Sequence, residues 1–75
     1  MKPRNECLYY LVREMDNLGV KAKDIYFEDI LRHVRQDGFN DMRRLEIRAV
    51  IFAAGCRGRL EELDKAVEEY MGGVI

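Results

Sequence analysis

His33 is the only histidine in the chain, and Asp29 precedes it by one helical turn. That spacing puts a carboxylate and an imidazole on one face of a helix, where the acid can orient the ring. Catalysis by such a pair also needs a nucleophile or a pocket. The two cysteines, Cys7 and Cys56, lie in other segments. Gly55-Cys56-Arg57-Gly58 lacks both the spacing of a phosphate loop and a strand before it. One histidine and no Cys-x-x-Cys pair cannot complete a zinc set. The sequence therefore predicts no enzyme, no cofactor and no metal site. His33 is expected to face solvent or to be hydrogen-bonded.

Arginines give a second pattern. Arg43 and Arg44 stand at the start of the third apolar segment, where a helix dipole disfavours cations. Arg44 and Arg48 form a like-charge pair one turn apart, which is mildly destabilising. Two local rules broken together point to a use elsewhere. One reading is a partner-binding patch of Arg43, Arg44 and Arg48. The other is internal pairing, with Arg48 near Glu68 or Glu69, or near Asp29. Tyr9 and Tyr10 are adjacent and both lie off the Leu8, Leu11, Met15 stripe. Tyrosine suits half-wet contact surfaces, so these two join the candidate partner-binding residues.

The stretch Leu18-Gly19-Val20-Lys21-Ala22-Lys23-Asp24-Ile25 resembles the turn of a helix-turn-helix, with Ile25 packing inward. The resemblance implies DNA binding through Lys21, Lys23, Arg32 and Arg35 on phosphates. Glu14 stands where that motif wants an apolar residue, and Glu28 and Asp29 stand where it wants neutral or basic ones. A second candidate turn, Asp37-Gly38-Phe39-Asn40, would bring Arg43 and Arg44 near a groove.

Four helices must position these groups. The first runs from about Asn5 to Leu18, capped by Asn5 and stopped by Gly19 with Val20. The second begins at Asp24 as cap, carries Phe27, Ile30, Leu31 and Val34 on one stripe, and stops at Gly38-Phe39. The third follows an Asn40 cap and ends at Gly58. The fourth runs from about Arg59 to Met71, with an oriented Glu61–Lys65 pair. Gly72-Gly73 ends it, before a Val74-Ile75 tail.

Leu45 to Cys56 is apolar on nearly every side, and such helices are buried. The expected architecture is thus an all-α, compact bundle of four short helices with the third central, forming one domain over residues 1–75. Leu8, Leu11, Met15, Ile30, Leu31, Val34, Leu45, Ala49, Phe52, Leu63 and Val67 are expected to be buried together. The cysteines are expected to be reduced, as two small buried hydrophobes.

With 75 residues the chain is near the lower limit for an independent core. It is 48% hydrophobic and 36% charged, at a formal net charge of −1, so no global field draws it to nucleic acid or anionic lipid. No apolar run is long enough for a signal peptide or a membrane span, so no membrane partner and a cytoplasmic location are expected. The basic 42–59 stretch precedes an acidic 60–75 stretch, a polarity that can steer association. The expected function is a binding module acting on a protein partner as a regulator, adaptor or inhibitor. A homodimer is one form of it. A helix-turn-helix DNA-binding regulator is the alternative.

Overall fold

The computed structural model describes residues 6–72. They form four α-helices, α1 (Glu6–Asn17), α2 (Asp24–Asp37), α3 (Arg44–Cys56) and α4 (Leu60–Gly72). Asn5 and the Val74-Ile75 tail lie outside the described residues.

α1 and α2 form an antiparallel hairpin with a regular register. Cys7 Sγ lies 3.7 Å from Asp29 Oδ2. One turn on, the rings of Tyr10 and Tyr26 stack at 4.8 Å. One turn further, the Ala22 amide donates to Glu14 Oε1 at 3.2 Å. α2 and α4 run in the same direction. Arg59, just before α4, bonds Glu28 early in α2, and Arg35 late in α2 pairs with Glu69 late in α4. The turn after α3 returns to the α1–α2 connection through Arg57. Around the bundle the order is therefore α1, α2, α4, α3. α3 packs chiefly on α1 and α4 chiefly on α2, while α3 and α4 share much less.

The inward side of each helix follows its apolar spacing. Leu8 and Leu11 on α1, Phe27, Ile30, Leu31 and Val34 on α2, and Leu63 and Ala66 on α4 are buried. α3 contributes Ala49, Val50, Ala53 and Ala54. Three of these are alanines, so α1 can approach closely. Met15 and Val67 are partly buried and pack against this core.

Leu45 and Phe52 depart from expectation. Leu45 is 49% exposed, and Phe52 is half-buried and lies outside the core cluster. α3 sits at a corner of the bundle, so its outer flank has no helix to cover it.

Several helix ends also differ from their sequence reading. Leu18, not Gly19, takes the left-handed conformation after α1, at φ 58°, and Val20 is exposed. Asp24 is the first residue of α2 rather than its cap; its carboxylate accepts from Arg57 instead. Asn40 does not cap α3, because turns continue to Met42, whose amide donates to the Phe39 carbonyl. Met42 is buried there, and Glu46 reaches back to the Arg43 amide at 2.9 Å. Gly38 and Gly58 do end their helices, at φ 64° and 66°, and Phe39 packs on the core. Glu61 and Lys65 are both exposed and form no ion pair with each other.

Candidate functional site

The open side of α3 and the adjoining flank of α4 make one surface. On α4, Glu69 and Tyr70 face α2, where Tyr70 lies against Gly38 and takes a 2.6 Å hydrogen bond from Asn40. Leu63 and Ala66 point to the core. Continuing round the helix, Val67, Leu60 and Met71 border α3, and Asp64 and Glu68 follow on the outside. Leu60 is 47% and Met71 59% exposed.

The same winding orders α3. Ala49 and Ala53 face α1; Val50 and Ala54 face the centre; Ile47 and Ile51 border α4; Arg44 and Arg48 follow outside. Ile47 is partly buried against the core, while Ile51 is 47% exposed. The loosely packed α3–α4 seam thus has an apolar floor of Ile47, Ile51, Leu60, Val67 and Met71. Arg44 and Arg48 form one rim, and Asp64 and Glu68 the other.

Neither rim is neutralised within the chain. Arg43, Arg44 and Arg48 are exposed, and the guanidinium groups of Arg44 and Arg48 join no carboxylate among the described residues, while Arg43 meets Glu46 through its backbone amide. Asp64 and Glu68 are likewise exposed and unpaired among those residues. The internal pairing weighed for Arg48 with Glu68, Glu69 or Asp29 is absent. Asp29 instead holds Arg32 at 2.7 Å, and Glu69 holds Arg35 at 3.5 Å.

Tyr9 and Tyr10 lie elsewhere, on α1. Tyr10 is sandwiched between Tyr26 and the edge of Tyr9, whose ring centroid is 5.4 Å away. Arg13 lies over Tyr9 and donates to its hydroxyl at 3.1 Å. Burial and the adjacent Tyr10 raise the Tyr26 hydroxyl above its ordinary pKa. These rings close the α1–α2 seam as well as presenting surface.

Of the four cations that a helix-turn-helix reading would use, Arg32 and Arg35 are engaged by carboxylates. Lys21 and Lys23 are exposed and unpaired among the described residues. Ile25 does not pack inward: it is 63% exposed, and Ala22 takes the buried place.

His33 turns away from Asp29. Its Nε2 lies 3.3 Å from Asp41 Oδ1 and its Nδ1 3.8 Å from Asp37 Oδ2, so the ring bridges the end of α2 and the following loop. The two acids sit at opposite ring nitrogens and cannot share one ion with the imidazole. Among the described residues no group of three or more His, Cys, Asp or Glu is placed to hold a metal. Both cysteines are free thiols. Burial, then Asp29, push the Cys7 thiol up, whereas Cys56 is exposed rather than buried.

Sequence reading missed a buried ion pair. Arg57 Nη1 donates to both oxygens of Glu14, at 3.2 and 3.1 Å. Its Nε reaches Asp24 at 3.1 Å, and Nη2 reaches the Ala22 carbonyl at 2.8 Å. The guanidinium also lies 5.3 Å from the Phe27 ring centre, with Arg59 5.2 Å from the same centre. Arg59 is held firmly protonated by Glu62 and Glu28, and Glu62 is pulled below the usual carboxylate range by Arg59. The signal was Glu14 itself. A carboxylate on the Leu11, Met15 stripe requires a cation brought to it.

Among the described residues no helix is long and apolar enough to cross a membrane. The described residues form an all-α bundle of four helices. No protein family, no curated protein and no solved structure matches it.

Proposed function

We propose that the chain is a non-catalytic binding module that acts on a protein partner in the cytoplasm, as a regulator, adaptor or inhibitor. One observation carries the reading. Arg44 and Arg48 stand exposed and unpaired among the described residues, beside Ile51, which is half exposed on the same helix. Contiguous apolar surface with a polar rim is the usual composition of a docking site. Arginine suits the rim because its fork grips a carboxylate at two points. Tyr9 and Tyr10 are a lesser contact, since their rings already serve the α1–α2 seam.

A photocrosslinking residue at position 51, used in the native host, tests this reading. The comparison site is Gln36, exposed on α2. Capture of a protein at position 51 that survives nuclease and is lost with Arg48→Glu is the expected result. Equal capture from both positions, or capture abolished by nuclease, overturns it. The nuclease-sensitive outcome would turn attention to Lys21 and Lys23 and to the DNA-binding alternative.

A further inference from the structure

We propose that the α3–α4 face is closed by a second copy of this chain, paired about a two-fold axis lying along the seam. The inference rests on reading that face as a docking surface, and it names the occupant.

The argument is the arrangement of charge across the face. Arg44 and Arg48 are one turn apart on one rim, and Asp64 and Glu68 are one turn apart on the other. α3 and α4 run in opposite directions from the turn at Gly58, so Arg48 and Glu68 stand at matching heights. They nevertheless form no ion pair with each other, because the apolar floor separates them. A two-fold rotation about the seam sets α3 of each copy over α4 of the other. Arg48 of each copy then meets Glu68 of the other, two contacts in all, with Arg44 and Asp64 one turn away on opposite sides of each contact. The apolar floors, with Ile51, Leu60 and Met71 about half exposed, meet in the middle.

Other occupants fit less well. An acidic helix lying in the seam would satisfy Arg44 and Arg48 but set its carboxylates against Asp64 and Glu68. A basic helix would have the converse problem. Only a partner with one basic and one acidic edge suits both rims, and this chain carries that surface itself. A surface that pairs with its own copy forms a closed dimer. The net charge of −1 leaves little general repulsion between copies.

Light scattering on the purified chain, with three charge variants, tests the proposal. The wild type is expected to be a dimer at micromolar concentration, weakened by molar salt. Arg44→Glu with Arg48→Glu places like charges at both contacts and should give a monomer. Asp64→Lys with Glu68→Lys should do the same. Mixing these two monomeric variants should restore a dimer containing one of each. All four substitutions in one chain should restore a homodimer. Every altered side chain is solvent-exposed, and an unchanged far-UV spectrum will show that each variant folds.

A wild type that stays monomeric into the submillimolar range overturns self-pairing. So does a dimer that survives either double reversal, or two variants that fail to associate when mixed. None of these results abolishes capture of a different protein at position 51. The docking reading and the self-pairing inference therefore fail separately.

Discussion

Arg57, in the turn after α3, holds Glu14 of α1 with one guanidinium nitrogen between both carboxylate oxygens. The side chains are only 10% and 3% exposed, and Glu14 also accepts from the Ala22 amide. The pair fastens α1, the start of α2 and the end of α3 at one pole. Removing one partner leaves the other charged and dry. Arg57→Ala is expected to cost about 3–5 kcal/mol. Replacing both by apolar residues, Glu14→Leu with Arg57→Met, should cost less than Arg57→Ala alone. Urea midpoints of the variants check the order, and a double variant weaker than the single would refute it.

Two left-handed glycines should respond unequally. At Gly58 a methyl group would meet nothing within 4 Å, so Gly58→Ala carries only the backbone penalty, about 1–2 kcal/mol. At Gly38 the new carbon would sit 2.8 Å from the Tyr70 ring, which Asn40 holds in place. Gly38→Ala should therefore lower the melting temperature by clearly more than Gly58→Ala. Equal shifts would mean that Tyr70 moves aside freely.

Phenylalanines rank by burial. Phe27 is fully enclosed, with Arg57 and Arg59 both over its ring. Phe27→Ala should cost about 3–5 kcal/mol. Phe52 is partly buried and lies outside the core cluster, and Phe52→Ala should cost clearly less than Phe27→Ala. Chemical denaturation of the two variants tests the ranking. A Phe52 loss matching that of Phe27 would show that α3 is enclosed after all.

The thiols should label at different rates. Cys56 is exposed, while Cys7 is partly buried with its pKa raised by desolvation and by Asp29. The thiolate is the reactive form, so near neutral pH Cys56 should react first with iodoacetamide. Asp29→Asn removes one of the causes that hold Cys7 protonated and should speed its labelling. Mass spectrometry of partially labelled protein reads both effects.

The helices and most of the core were legible because apolar residues recur at helical spacing on α1, α2 and α4. α3 was harder. Its composition is apolar on all sides, and composition alone does not say which side finds a neighbour. The alanines at 49, 53 and 54 mark the inward side only once α1 is seen to lie close. That Arg44 and Arg48 meet no carboxylate among the described residues was also hidden. Glu69 stood ready as a partner in the sequence, but the parallel run of α2 and α4 delivers it to Arg35. Asp29 is likewise held by Arg32 on its own helix. Register between helices took Glu69, and a pairing within α2 took Asp29, so neither reaches Arg48.

The closest helix pairings are interleaved along the chain, α1 with α3 and α2 with α4. A cut between α2 and α3 leaves neither half with a complete pair of its own. During synthesis α1 and α2 emerge as a hairpin whose Glu14 still lacks its cation. α3 must follow before that carboxylate can leave water, and α2 waits longer still for α4. At about 5–20 residues per second this delay lasts on the order of seconds. Nascent chain stopped before Arg57 is therefore expected to remain open to proteases, and protection to arrive late and almost at once.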